Sequence, residues 1–409
     1  MQSGSTQSFV GLDIGTSAVR CVIGMLDQSG DGKLSIIGHG SAPNVGMRKG
    51  AVVHVDDVVE AVIQAVSEAE RVSGVHVDQV TVNVNGSHVQ GLNSRGVIAI
   101  STANREITQD DRLRVEEAAT IVKLPPNREI IQVFAKNYRL DGQDNIKDPV
   151  GMQGVRLEVD THIVTASTPN LRNLDLVLEK AHLTPLHHTV SSLASAEAVL
   201  NRQQKESGTV LIDIGAGTTN IVVLEDGEVQ HVAVLPIGGI HVTNDLAIGL
   251  RTDLDIAEAV KLEHANLSSD VKKVRAGVTV NKQRHEFDPE EVKMIVEARV
   301  EELLEYVDKE LKKIGRSRKL PGGAVLVGGT AKIPGIAEFT REKLQIAARV
   351  GKLQPIGGLQ DTVEDPSFYS AVGLVVLDML LMPSAEAASG SPVSGALGMV
   401  EGLLKRFRR

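Results

Sequence analysis

Apolar positions along this chain fall into two kinds of stretch, short continuous runs and longer stripes with helical spacing. The run Phe9–Ile14 is broken only by Asp13, ends in Gly15-Thr16-Ser17, and is followed by a second run from Ala18 to Gly24. This is the signature of strand, tight glycine turn and returning strand. The same arrangement recurs at Val210–Ile214, with Asp213, then Gly215-Ala216-Gly217-Thr218-Thr219-Asn220 and the run Ile221–Leu224. A duplicated Asp-x-Gly hairpin points to two similar domains facing one another across a shared site.

Between the copies, Lys33–Gly40 and Val80–Val84 read as strands. Val55–Ser73 reads as a helix with Val58, Val59, Val62, Val66 and Ala69 on one face. The character changes from Gly86 to about residue 162. Strands are predicted at Val97–Ser101, Glu129–Val133 and Val155–Val159, with a helix capped by Thr108, running to Val122 and stopped by Pro125-Pro126. This reads as a small inserted α+β unit, after which Ile163–Ala166 resumes the main sheet. Helices follow at Asn170–Ala181 and Ser192–Arg202. Beyond the second hairpin come a strand at Val232–Pro236 and helices at His241–Leu250, Asp255–His264, Pro289–Ile314 and Pro366–Met382. A small sheet is expected within Val271–Phe287.

Composition narrows the function classes. With 42% apolar and 23% charged residues the chain reads as globular, and its net charge of −9 argues against a nucleic-acid partner. One cysteine, Cys21, excludes an internal disulfide, and the longest apolar run, Ala371–Met382, is too short to span a bilayer. The expectation is a cytosolic chain without a transmembrane anchor.

Three glycine turns carry the candidate chemistry. Gly15, Thr16 and Ser17 in the first hairpin, and Gly215, Gly217, Thr218 and Thr219 in the second, let backbone N–H groups and hydroxyls approach a phosphate closely. Asp13 and Asp213 would face the cleft and hold Mg²⁺ through its waters. The strand Ala324–Val327 runs into Gly328-Gly329-Thr330, where the backbone could lie against a base or ribose beside a helix N-terminus.

These residues resemble the actin/Hsp70/sugar-kinase superfamily. Asp13–Ser17 matches its first phosphate segment, Asp213–Thr219 its second, and Gly328–Gly335 its adenosine segment. The resemblance implies ATP and Mg²⁺ as cofactors and brings Gly239, Glu258 and Lys261 to the nucleotide, the last two at ribose and adenine. Where the superfamily member closest in pattern carries a Lys, this chain has Ala18. Arg20, two residues on and on the same strand face, would supply that charge. The segment Ser191-Ser192-Leu193 offers neither carboxylate nor Gln as a base for water, so ATP binding with slow or negligible hydrolysis is expected.

Within the superfamily the chain resembles the FtsA family of bacterial cell-division proteins. Gly86-Ser87-His88, Glu106-Ile107-Thr108, Asp148–Met152 and Gly154–Glu158 are similar to that family's inserted subdomain. The fold class implied is α/β: an actin-like two-domain ATPase fold with an inserted α+β subdomain and a C-terminal amphipathic helix. The implied domains are 1–84 with 163–199, the insert 85–162, and 200–382 with a small lobe at about 253–316. A linker 383–396 and a terminal helix 397–409 complete the chain.

In that last helix Leu397, Val400, Leu403, Leu404 and Phe407 share one side, and Lys405, Arg406, Arg408 and Arg409 the other, a pattern suited to an anionic bilayer surface. The resemblance implies a scaffold at the cytoplasmic face of the inner membrane, at the division site. Its partners would be further copies in a filament, the FtsZ C-terminal peptide and later divisome proteins. It places the peptide site on the small lobe, at Arg299 and Glu302. The alternatives are a PilM-like pilus-assembly adaptor and a small-molecule kinase of the same superfamily.

Overall fold

The computed structural model describes residues 8–26, 33–101, 104–268 and 275–381. Its backbone is organised on two sheets built to one plan. In the first, the hairpin Ser8–Ile14/Ala18–Leu26 is antiparallel, Leu34–Pro43 extends it, and Gln79–Val84 runs parallel to Ser8–Ile14 on the other side. In the second, Thr209–Ile214/Thr219–Glu225 is the hairpin, Glu228–Leu235 extends it, and Gly323–Val327 is the parallel neighbour. Both hairpins are apolar on both faces because each sheet is covered on both sides.

The helix Val55–Ser73 has the expected bounds and buries Val58, Val62, Val66 and Ala69. It lies so close on Leu34–Pro43 that a Cβ at Gly40 would overlap the Ala65 carbonyl. Gly74, at φ 70°, ends the helix in the left-handed conformation.

Two helices join the halves, Ser191–Val199 and Tyr369–Leu381. They cross in backbone contact, since a Cβ at Gly373 would overlap the Ala194 carbonyl, and Gly11 packs equally tightly beneath Ala371. The apolar run holding the second helix contains Asp378 for a structural reason. Its carboxylate accepts the Val10 N–H at 3.1 Å and the Thr81 hydroxyl at 2.8 Å inside the first sheet. The first residues of the helix expected at Pro366–Met382, Pro366–Phe368, form a 3₁₀ turn, and the α-helix begins at Tyr369.

The insert has its own apolar centre, with Ile107, Val115, Tyr138, Leu157 and Ile163 buried together. Thr108 caps the helix Gln109–Thr120 in a capping box with Asp111. The strands are longer than expected: Gln90–Ala99, Arg128–Leu140 and Arg156–Ser167. The last is continuous across the expected boundary at 162/163 and pairs on both sides with insert strands, so Ile163–Ala166 stays in the insert's sheet and does not resume the first one.

The insert's sheet also continues the second sheet through a single bridge, Ala233 to Gln90, giving nine strands. His162 secures this seam, accepting the Val232 N–H on Nε2 at 3.0 Å with Nδ1 on Asn93 at 2.9 Å. Burial holds His162 down at about 3, so it stays neutral.

Within the span expected as the small lobe, about 253–316, lie the helices Leu254–His264 and Pro289–Lys313 and the hairpin Ala276–Val280/Gln283–Phe287, with the helix Gly239–Gly249 packed against both helices. Among the described residues no helix is long and apolar enough to cross a membrane. The linker 383–396 and the helix 397–409 lie outside the described residues.

Candidate functional site

The two hairpin turns superpose in their chemistry. Gly15 N–H donates to the Ala18 carbonyl at 3.0 Å, and Gly215 N–H to the Thr218 carbonyl at 2.9 Å. Asp13 pairs across its hairpin with Arg20, and Asp213 across its own with Asn220. The loops meet, because a Cβ on Gly217 would lie 2.7 Å from the Thr16 hydroxyl. Between them opens a cleft of about 510 Å³.

Of the residues singled out in the sequence, Asp13, Gly15, Thr16, Ser17, Arg20, Asp213, Gly215, Thr218, Gly239, Glu258, Lys261, Gly328, Gly329 and Thr330 line this cleft. Two do not. Gly217 is turned to the other loop, and the buried Thr219 donates its hydroxyl to the Ile237 carbonyl at 2.8 Å. Thr218 ends the turn on the cleft wall, whereas Thr219 opens the returning strand with its hydroxyl turned inward. The glycine turn at Gly328, with φ 87°, also departs from expectation. A single 3₁₀ turn, Gly329–Lys332, follows it, and the α-helix begins only at Ile336. No α-helix N-terminus therefore sits directly behind the two glycines.

At the hairpin end of the cleft both carboxylates are buried and hydrogen-bonded. Asp13 accepts from Asn83 Nδ2 at 2.6 Å, and Asp213 from the Ser195 hydroxyl at 3.2 Å. Burial pushes Asp13 up to about 6, with the Arg20 guanidinium pulling the other way. Burial, and then the neighbouring Asp13, push Asp213 up to about 7. Two carboxylates that resist ionising together form a site in which a cation is favoured.

Arg20 stacks its guanidinium 5.4 Å from the Phe368 ring centre. Its Nε is buried without a protein partner, as are Asn85 Oδ1 and Asn220 Oδ1. All three belong to residues on the cleft wall.

At the other end Lys261 binds Glu258 at 2.6 Å, the Thr243 hydroxyl at 2.9 Å and the Gly239 carbonyl at 3.4 Å. Leu262, Ala265, Ile333 and Pro334 add an apolar wall beside them. A cleft with two hard carboxylates and an arginine at one end, and an apolar wall with a carboxylate and an ammonium at the other, fits a Mg²⁺-nucleotide. Among the described residues no three His, Cys, Asp or Glu side chains gather as a metal cage. Two carboxylates acting through water remain the donor set.

The sequence assigns no site role to Asn83, Asn85, Ser191, Ser195, Asn220 or Thr243. Isolated Asn, Ser and Thr carry no spacing pattern, although Asn220 could be found as the position opposite Asp213. Arg299 and Glu302 lie away from the cleft as an ion pair on the long helix, and Arg299 also grips Asp245 with two bonds, one at 2.9 Å.

Comparison with known proteins identifies the family. A family model described as "Cell division protein FtsA" matches residues 210–373, and one described as "SHS2 domain inserted in FTSA" matches residues 86–165. A cell division protein FtsA from Pseudomonas aeruginosa is 35% identical over 382 residues, covering 92% of this chain and 90% of that relative. The chain belongs to the FtsA family.

Solved structures show the fold of this FtsA-family chain. One is a PilM-PilN type IV pilus biogenesis complex, with TM-score 0.63, 18% identity and coverage of 90% of this chain and 98% of that one. Another is MreB5 of Spiroplasma citri bound to ADP, with TM-score 0.55, 13% identity and coverage of 91% and 97%. The expected actin-like α/β fold with an inserted subdomain is therefore observed.

Proposed function

We propose that this member of a cell-division family is an ATP-dependent scaffold. It binds Mg²⁺-ATP between its two domains, polymerises at the cytoplasmic face of the inner membrane, and tethers FtsZ filaments there while recruiting later divisome proteins. The observation that carries the reading is the pair of Asp hairpins, one from each sheet, closing on a single cleft.

When bound, the nucleotide supplies phosphate charge and Mg²⁺ a positive centre. The chain's residues hold both. Arg20 would offer its unused N–H, Asp13 and Asp213 would hold cation-bound water, and Glu258 and Lys261, locked by Thr243, would meet the ribose and base. Among the described residues on the cleft wall, Asp13, Asp213 and Glu258 are the carboxylates, and His and Gln are absent. This favours tight holding over fast hydrolysis. Turnover at a rate typical of enzymes, lost in Asp213→Ala, would contradict that part.

We assign domain 1 to 1–84 and 163–199, the insert to 85–162, and domain 2 to 200–382. Arg299 and Glu302 on the small lobe are proposed to meet the FtsZ peptide, and residues 397–409 the anionic membrane. Electron microscopy of the purified chain on anionic lipid monolayers with ATP, with and without the FtsZ C-terminal peptide, tests the whole. Filaments that recruit the peptide and vanish when 397–409 are removed are expected. Filaments that persist without the tail, or a chain that never assembles with ATP, would overturn it.

A further inference from the structure

The inserted subdomain is rooted in the wall of the cleft. Gln79–Val84 ends at Asn85, and the insert begins with Gly86, whose φ is 110°. Asn85 lines the cleft, and two independent chains of contact lead from the hairpin loop to this junction.

The first is polar. Asn83 Nδ2 donates both to Asp13 Oδ1, at 2.6 Å, and to Ser191 Oγ, at 3.0 Å. Its orientation is fixed because its Oδ1 accepts the Ile14 N–H at 2.7 Å. Ser191 Oγ also accepts Asn85 Nδ2, at 2.9 Å. Asn85 thus stands at the end of a chain starting from Asp13.

The second is a backbone contact. Gly50 N–H donates to the Thr16 hydroxyl at 3.3 Å, and Gly50 lies directly on Gly86. A Cβ on Gly50 would come within 2.6 Å of the Gly86 backbone.

Asn85 Oδ1 is buried and unpartnered. It is an acceptor, so it cannot take a phosphate oxygen, which is also an acceptor. It needs a donor. In a cleft that also holds two carboxylates suited to a hydrated cation, the donor with the right chemistry is cation-bound water, because Mg²⁺ keeps several of its waters.

We propose that Asn85 is a ligand-contacting residue of the cleft, holding a cation-bound water and tying occupancy of the site to the root of the inserted subdomain. This rests on the nucleotide reading above. Site occupancy then fixes Asn85, and Gly86 transmits the change to a subdomain whose far seam is held by His162 on Val232.

The test compares full-length wild type with Asn85→Ala and Asn85→Asp by calorimetric titration of ADP, with Mg²⁺ and with EDTA. Hydrogen exchange is read over residues 86–91 in parallel. Asn85→Ala should weaken Mg²⁺-dependent affinity about ten-fold and leave the affinity in EDTA unchanged, as expected for an outer-shell partner. Wild type should gain Mg²⁺-nucleotide protection of residues 86–91, its absence overturning the proposal, and the same variant should lose it. Asn85→Asp, which keeps an acceptor, should retain both effects and carries the test if the alanine variant fails to fold. Wild-type-like Mg²⁺ dependence in Asn85→Ala, or loss of both effects in a folded Asn85→Asp, would overturn the proposal. A wild type that binds no nucleotide would instead overturn the nucleotide reading itself.

Discussion

The hairpins at Asp13 and Asp213 share a backbone plan and differ in what stands opposite the carboxylate. Across from Asp13 stands Arg20, and across from Asp213 stands Asn220. The guanidinium partly offsets the burial of Asp13, which sits at about 6, whereas Asp213 also feels Asp13 and sits at about 7. The shared frame carries a different partner opposite each carboxylate. The first half brings a fixed positive charge and the second a neutral amide. An undifferentiated pair would present either two cations and too little room for Mg²⁺, or none for the phosphates.

The largest expected effect breaks the frame that both halves share. Gly373→Ala forces a Cβ into the Ala194 carbonyl at the crossing of the two joining helices. It should destabilise the protein by more than about 4 kcal/mol, read from denaturant unfolding.

Next come the carboxylates, where stability and binding should move in opposite directions. Both have folded values raised above the usual 3.8. Their contribution to ligand-free stability is therefore present below pH about 4 and lost as pH rises through about 6 for Asp13 and about 7 for Asp213. Asp213→Asn removes that loss, and should stabilise the ligand-free protein at pH 8 by on the order of 2–4 kcal/mol while abolishing Mg²⁺-dependent nucleotide binding. Asp13→Asn should do the same to a smaller extent. Thermal melting across pH checks both.

Arg20→Met and Asn220→Ala sharpen the division of labour. The arginine variant should lose about ten-fold in nucleotide affinity with or without Mg²⁺, because a charged hydrogen bond is lost. The amide variant should lose a few-fold, and only with Mg²⁺. Equal losses would erase the distinction between the halves.

The smallest effect separates two adjacent threonines. Thr219→Val should cost about 1–2 kcal/mol of stability by orphaning the Ile237 carbonyl, and leave nucleotide affinity unchanged.

Much of this molecule is legible in its sequence wherever a repeating physical constraint acts. Val55–Ser73 is amphipathic because one face packs on a sheet, so its bounds can be read directly. The two hairpins announce themselves because apolar runs, one acid and glycine turns occur together twice. What the pattern misses depends on long-range pairing. Arg156–Ser167 looks like two strands because its polar residues, such as His162 and Thr161, find partners inside the sheet. The joining of the insert's sheet to the second domain includes a single bridge, a histidine and a lysine on the Asp226 carbonyl, which leave no periodic trace. The site follows the same logic. Glycines and acids at fixed spacing mark its floor, while Asn85, Ser191 and Thr243 converge on it from separate elements and become visible only in three dimensions.

The central claim is that both hairpins clamp one Mg²⁺-nucleotide, and calorimetric titration of ATP in Mg²⁺ tests it most directly. The account predicts a single nucleotide per wild-type chain, weakened by EDTA, and abolished in Mg²⁺ by Asp13→Asn combined with Asp213→Asn in a folded variant. Undiminished binding by that double variant would place the nucleotide elsewhere and contradict the account.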